Sequence, residues 1–502
     1  MTLSSHFAIL VVVVPLVMAP LVAVLPSRSG TPWLVATLTA FVSFLLAIGV
    51  TQQVMAQGVL LYELGNWPVP FGIGLVIGPF AALLLLVITG ASLGALLWGR
   101  ASMNQEVGEE HQSLLYACWL LATAGLVGIT ITGDAFNVFV FMEISALASY
   151  VLVSAGPSRQ ALTATFKYLV TGTIGATFYL IGVGYLYMMT GTLNMADMAD
   201  RLSQVSDTAP VLMASGFIVL GLALKAALFP MHAWMPNAYR YAPTIVTVFL
   251  AACSTKVALF VLIRFDFLIL QPNLGDHALL FTTILMPLCI VAFLVGSTVA
   301  VFERDLKRML AYSSVAQIGY ILLGASLVSS AGTTAAILHM FNHAIIKAAL
   351  FMAVGAMVLR YGSSRISDIA GAGKSMPWTM AAFCVAGLSL IGVPLTAGFM
   401  SKWFLIQAML EIEGIGYLVV FLILVSSLLA VVYIWKVIEV AYFQEPASMP
   451  QGEPPRLISE APMPMLLMIW LLAIANIWFG IDPSLPLGLA GMEVQQLLGA
   501  SR

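Results

Sequence analysis

Seven ionisable side chains of this sequence lie in stretches that are otherwise almost wholly apolar. Glu143 falls in Phe139-Val140-Phe141-Met142-Glu143-Ile144-Ser145, Lys225 in Gly221-Leu222-Ala223-Leu224-Lys225-Ala226-Ala227, and Lys256 directly after Ser254-Thr255. His339, His343 and Lys347 recur at i, i+4 and i+8, which places them on one face of a helix. Lys402 follows Gly398-Phe399-Met400-Ser401. If these stretches cross a bilayer, each charge costs ~2.5 kcal/mol or more, and groups kept at that cost usually face the protein interior and carry function. The chemistry that fits is proton transfer. A lysine in a low-dielectric site loses affinity for its proton by desolvation and regains it from a nearby carboxylate, so moving the carboxylate switches the lysine between holding and releasing. Histidine titrates near neutral pH and suits an intermediate station.

Each position also has a plainer reading. Glu143 and Lys225 are either such a switch or a static ion pair that fixes helix packing. His339 alone is as readily an interhelical hydrogen-bonder as a relay station, and its shared face with His343 and Lys347 favours the relay. Lys256 and Lys402 have no obvious partner in the sequence, which makes them poor structural choices. Lys167, Lys436 and Glu439 lie nearer helix ends, where snorkelling explains them. Asp134, beside Gly133, is a helix N-cap or an inlet for protons, and His232 is an auxiliary candidate. The run Glu303-Arg304-Asp305-Leu306-Lys307-Arg308 reads as a solvated cytoplasmic loop.

The elements that must hold these groups are membrane helices. Of 502 residues, 61% are hydrophobic and 8% charged, with a mean hydropathy of +1.02. Soluble domains carry roughly 25% charged residues, so most of the outer surface faces something other than water. The whole chain, 1–502, reads as a single membrane domain. Crossing a bilayer takes about 20 mostly apolar residues, and that ruler gives fourteen spans. They lie near 7–25, 31–50, 70–98, 114–131, 135–155, 162–189, 211–229, 243–265, 278–301, 309–328, 332–358, 377–398, 415–441 and 462–480. Residues 1–26 lack the basic start of a signal peptide and read as the first span. The odd-numbered loops hold Arg28, Arg100, Arg159, Arg240, Arg304, Lys307, Arg308, Arg360, Arg365, Lys374 and Arg456; the even ones hold little beyond Arg201 and Arg264. The odd loops are therefore expected on the cytoplasmic side, with both termini outside.

Two spans look interrupted. Span seven runs into Phe229-Pro230-Met231-His232-Ala233-Trp234-Met235-Pro236, and span twelve into Ile391-Gly392-Val393-Pro394-Leu395-Thr396-Ala397-Gly398. Proline removes a backbone donor and glycine loosens the helix, so breaks are expected at Pro230, Pro236 and Pro394. Broken helices at matching places in two halves point to a transporter of inverted repeats, here 114–265 (spans four to eight) and 278–441 (spans nine to thirteen).

Other classes find no support. A net charge of −2 leaves no basic footprint for nucleic acid. Cys118, Cys253, Cys289 and Cys384 are far apart in apolar runs, with neither metal-ligand nor disulfide spacing. No cofactor fingerprint and no metal cage are present.

Four segments carry a resemblance. Gly133-Asp134-Ala135-Phe136-Asn137 leads into Glu143; Lys225-Ala226-Ala227-Leu228-Phe229-Pro230-Met231-His232-Ala233-Trp234-Met235-Pro236 follows; then come Asp305-Leu306-Lys307-Arg308-Met309-Leu310-Ala311-Tyr312-Ser313-Ser314 and His339-Met340-Phe341-Asn342-His343-Ala344-Ile345-Ile346-Lys347. With them, roughly residues 70 to 440 resemble the antiporter-like proton-translocating subunits shared by respiratory complex I and Mrp-type sodium/proton antiporters. The resemblance implies fourteen helices, two inverted five-helix repeats, interrupted helices seven and twelve, and a polar axis at Glu143, Lys225, Lys256, His339, His343, Lys347 and Lys402. The Gly-Asp before span five and the lysine at 402 look most like the D-type branch of the Mrp subunits, although Val393-Pro394-Leu395-Thr396 has one proline where many relatives have two.

The function this implies is a proton-translocating subunit of a multi-subunit monovalent cation (sodium)/proton antiporter in a bacterial inner membrane, working beside other membrane subunits and not itself an enzyme. The alternative is the corresponding subunit of a complex-I-like quinone reductase or membrane hydrogenase, with redox chemistry left to its partners. A stand-alone transporter binding its own solute at the breaks is a third reading, weakened by the absence of an anion or metal cage in the sequence.

Overall fold

The computed structural model describes residues 3–205, 208–274, 278–445 and 458–499. Helices α1 (Phe7–Ala23) and α2 (Thr31–Gln57) lead to a hairpin of β1 (Leu60–Glu63) and β2 (Gly74–Ile77). Then come α3 (Pro79–Glu106), α4 (Gln112–Ile131), α5 (Ala135–Ser154), α6 (Gln160–Thr190) and the short α7 (Met195–Leu202). A turn separates α8 (Ala209–Ala226) from the short α9 (Met235–Tyr241), and α10 (Thr244–Phe265) runs on towards α11 (Gln271–Leu274). The second half holds α12 (Ala278–Phe302), α13 (Leu306–Ser326), α14 (Ser330–Tyr361), the single turn α15 (Ala372–Ser375), α16 (Pro377–Ile391), α17 (Ala397–Leu410) and α18 (Ile415–Phe443). It closes with α19 (Met463–Ile481) and α20 (Ser484–Gly499).

Thirteen helices among the described residues are long and apolar enough to cross a bilayer, and α16 with α17 makes a fourteenth crossing in two pieces. The chain is an all-α polytopic membrane protein. Its third crossing starts later than the expected 70–98, because Gly74–Ile77 pairs with Leu60–Glu63 as a strand, Leu60 opposite Ile77. An apolar run that short has no period to separate strand from helix; Pro79, in the first turn of α3, sets the true start. Of the loop cations behind the expected orientation, Arg456 lies outside the described residues.

Burial sorts the crossings into an inside and an outside. The most apolar stretches of α10 and α13 are each 94% buried, against 28% for α18 and α19. Lipid tails are as apolar as leucine, so helices in a bilayer associate through close contact rather than hydrophobic exclusion. Gly175 and Gly221 show how: a Cβ on Gly221 would stand 2.5 Å from the carbonyl oxygen of Gly175, so α6 and α8 touch backbone to backbone only because both are glycine.

Both expected breaks are present and have the same geometry. α8 ends at Ala227 (φ 55°) and α16 at Gly392 (φ 92°). In each, the next amide reaches five residues back, Leu228 N–H to the Ala223 carbonyl (3.0 Å) and Val393 N–H to that of Leu388 (3.1 Å), the bonding of a Schellman cap. Pro236 sits in the first turn of α9, while Pro230 and Pro394 are exposed in the two turns.

A second likeness ties the halves. Asp134 caps α5 by accepting from Asn137 N–H (2.7 Å), and Asp305 caps α13 by accepting from Arg308 N–H (3.0 Å). The residues beside each cap pair with the chain leaving the following helix: Ala135 N–H with Leu193 O (2.8 Å) and Leu306 N–H with Ser364 O (2.8 Å).

Candidate functional site

The two breaks and the centre of α14 bring the apolar-run charges into one line. At its first end Glu143, from α5, faces Lys225 in the last turn of α8, with Oε1 and Nζ 3.6 Å apart. Among the described residues neither atom has a hydrogen-bond partner, so charge alone holds the pair and the contact is loose. Beside Lys225 a cavity of about 30 Å³ is lined by Ser145, Ser149, Tyr168 and Ser254 among others. That is room for about two waters, with hydroxyls on its walls, and Ser254 continues the line onto α10.

Lys256 stands two residues further along α10, 1% exposed, with its ammonium donating to the carbonyl of Ala251. On α14, His343 and Lys347 are fully buried. Lys347 donates to the Leu310 carbonyl (2.8 Å) and to the Ser313 hydroxyl, both on α13. Among the described residues neither ring nitrogen of His343 has a partner. Its ring stacks on that of His339 at 6.4 Å between centroids. His339 in turn is bracketed by Ser401 Oγ on Nδ1 (2.8 Å) and Gln317 Oε1 on Nε2 (2.9 Å).

The line ends at Lys402 on α17. Its ammonium donates to the last carbonyls of α16, Leu390 (3.2 Å) and Ile391 (2.8 Å), and to Ser427 Oγ on α18 (3.0 Å). It also lies 5.2 Å from the centroid of the Tyr320 ring. A cation at the C-terminal end of a helix is favoured by the aligned peptide dipoles, and the break makes such an end available deep in the protein. Gly392 is needed for this: a Cβ there would meet the Lys402 side chain at 3.0 Å.

All seven residues expected on the axis thus fall along α5, α8, α10, α14 and α17. Among the described residues neither Asp134 nor His232 has a hydrogen bond or ion pair with any of the seven. Asp134 serves as the cap of α5. His232, in the first turn between α8 and α9, stacks on Phe229 at 5.3 Å and meets Tyr312 edge-on at 6.0 Å. The Glu303–Arg308 run is not simply a solvated loop. Asp305 and Lys307 are buried, Arg240 of α9 pairs with Asp305 at 3.1 Å, and Lys307 reaches the Ala242 carbonyl (3.4 Å). The reason is topological: the start of α13 docks against α9, which brings a compensating charge that the local sequence does not contain.

The neutral members of the line, Gln317, Ser313, Ser401, Ser427 and the serines of the small cavity, escaped sequence reasoning. Serine and glutamine in a membrane helix raise no flag by type. Only their spacing, Ser313 and Gln317 on one face of α13, hints at a polar stripe. Among the described residues no group of three or more His, Cys, Asp or Glu is placed to hold a metal ion.

Residues 132–430 match the family described as NADH:quinone oxidoreductase/Mrp antiporter, transmembrane. The chain is 40% identical over 491 residues to NADH-quinone oxidoreductase subunit N of Desulforudis audaxviator, covering 95% of this chain and 96% of that protein. It is 28% identical to the D-type subunit of the Na(+)/H(+) antiporter of Alkalihalophilus pseudofirmus, over 88% of each. Among solved structures it is similar to a chain of the archaeal membrane-bound sulfane sulfur reductase, a respiratory membrane complex, with a TM-score of 0.89, 32% identity, and 98% and 97% of the two chains covered.

Proposed function

We propose, from the premise that this chain belongs to the NADH:quinone oxidoreductase/Mrp antiporter transmembrane family, that it carries protons for a multi-subunit monovalent cation/proton antiporter. The observation behind this is the row of buried titratable side chains from the Glu143–Lys225 pair to Lys402, with a hydroxyl-lined cavity of about 30 Å³ beside Lys225, His339 held between Ser401 and Gln317, and Ser427 on Lys402. Proton transfer needs donors and acceptors that exchange roles. Lysine and histidine do so by titrating, and serine and water by rotating.

The working step is at the first end. The loose contact of Glu143 with Lys225 leaves the carboxylate free to swing away, and a buried ammonium that loses its counter-charge gives up its proton more readily. Lys256, Lys347, His343 and His339 pass the charge between the halves, and Lys402 ends the path at the second break. Residues 114–265 and 278–441 act as two inverted repeats, supported by the matching caps Asp134 and Asp305 and the matching Schellman bonds at the breaks. With the Lys/Arg-rich loops on the cytoplasmic side, the chain sits in a bacterial inner membrane with both termini outside.

A second reading, the equivalent subunit of a quinone-reducing complex, is favoured by the 40% identity to the quinone oxidoreductase relative against 28% to the antiporter relative. On that reading the same line moves protons and the redox centres belong to partner subunits. One experiment tests both: purify the chain with its native partners, reconstitute it, and follow a pH gradient with sodium, with potassium, and with a reduced electron donor and quinone. Proton movement driven by a sodium or potassium gradient supports the antiporter. Movement that needs electron flow supports the second reading. No proton movement under any condition overturns both.

A further inference from the structure

Two adjoining hollows lie against α3. One, of about 520 Å³, lies between α2, α3, α14 and α19, with Ala344, Ala348 and Ala252 in its floor. The other, of about 580 Å³, lies between α3 and α19 and includes Trp33, Arg100 and Asn104. Leu97 and Met468 line both, so the two are one groove. From Leu86 to Arg100 along α3 it extends about 21 Å at 1.5 Å per residue, more than the depth of one leaflet in a hydrocarbon core about 30 Å thick.

Chemistry changes along that length. The inner hollow exposes almost only carbon, so water gains nothing there. The mouth is different. The Arg100 guanidinium lies 4.3 Å over the Trp33 ring, and the Trp33 indole N–H donates to the Leu96 carbonyl (2.9 Å), which fixes the ring beneath it. Among the described residues Arg100 has no carboxylate partner and no hydrogen bond. Arginine presents a planar fork that suits two phosphate oxygens, and tryptophan is favoured at the membrane–water boundary.

The geometry points to a bound anionic phospholipid, its phosphate on Arg100 and one acyl chain in the hollow between α2, α3, α14 and α19. A partner-subunit helix is a poorer occupant. An apolar helix laid along the groove would leave the Arg100 guanidinium, which has no carboxylate partner among the described residues, facing its apolar side. A lipid chain is narrow and flexible and arrives with the opposite charge.

The test uses the full chain with its native partners in vesicles of phosphatidylglycerol or phosphatidylcholine carrying a diazirine in one acyl chain. After photolysis, cross-linked peptides are mapped by mass spectrometry. Cross-links are expected to concentrate on α3 and α19 at Gly94 and Met468, and to be stronger with phosphatidylglycerol. A Cβ at Gly94 would meet only the mobile ends of Met468 and Met352, so Gly94→Leu occupies the hollow without touching backbone. It should lower those cross-links about tenfold, the effect of excluding two chain methylenes. Arg100→Gln, at an exposed position, should reduce the preference for phosphatidylglycerol roughly threefold, as one screened surface charge allows. Cross-links spread equally over exposed α18, an unchanged pattern in Gly94→Leu, equal labelling by both lipids, or a partner helix found at Gly94 would each overturn the assignment. The readout is lipid contact, so failure of the proton line would not affect it.

Discussion

Lys225 and Lys402 stand on opposite sides of equivalent breaks and are held in opposite ways. Lys225 faces a carboxylate at 3.6 Å with no hydrogen bond on either atom among the described residues. Lys402 pairs with no acid among them; two carbonyls and a hydroxyl surround it at 2.8 to 3.2 Å. A carboxylate can move or change its charge, whereas a helix-end carbonyl can do neither. On the proposed reading the first half changes state and the second receives what the first releases. The same distinction recurs at the helix caps. Among the described residues Asp134 caps its helix with no ion pair, while Asp305 caps its helix and also pairs with Arg240.

The strongest way to break this comparison is at the charged pair. Glu143→Gln removes the counter-charge that lets Lys225 alternate between holding and releasing its proton, and is expected to lower proton-coupled transport roughly 100-fold, read as dye quenching in vesicles at equal membrane content. The double variant Glu143→Gln/Lys225→Met should regain thermal stability, because no charge is stranded, yet stay inactive. Transport by that double variant would make the pair a static strut. Lys402→Ala is expected to cost less, roughly tenfold, since only neutral acceptors are left behind; a fall equal to that of Glu143→Gln would erase the asymmetry between the halves.

Smaller effects sharpen it. Asp134→Ala removes a cap worth ~1 kcal/mol, and Asp305→Ala removes a cap together with the Arg240 pair. Asp305→Ala should lower the midpoint of thermal unfolding in detergent by about twice as much; equal shifts would show that the α9–α13 contact adds nothing. Smallest is a pH effect in the loops outside the membrane. A hydrogen bond from Thr192 and the nearby Arg201 hold the Asp197 carboxyl below its ordinary value of 3.8, and hydrogen bonds from Ser363 and Ser367 do the same for Asp368. A lowered value means stability present above pH 3.8 and lost as pH falls through the folded value. Hydrogen exchange at Met195–Leu202 and Ile366–Ile369, corrected for intrinsic rate, should therefore rise together below pH 3.8; loss in one loop alone would deny their equivalence.

The sequence alone marked the crossings, the two breaks, Asp134 as a cap in one of two readings, and the identity of the charged residues, because each follows from a penalty paid locally. An apolar run of bilayer length, a proline within it, an aspartate before a helix and a lysine among leucines can each be read one segment at a time. The tertiary structure decided which of these groups meet. That Lys347 finds Ser313, that His339 sits between Gln317 and Ser401, and that Arg240 neutralises Asp305 depend on how each helix is rotated about its axis. That rotation is limited by close contacts such as Gly319 of α13 against the Cys289 carbonyl of α12, where a Cβ would stand at 2.8 Å. Those contacts join residues far apart in the chain, and neither partner's local sequence specifies the other.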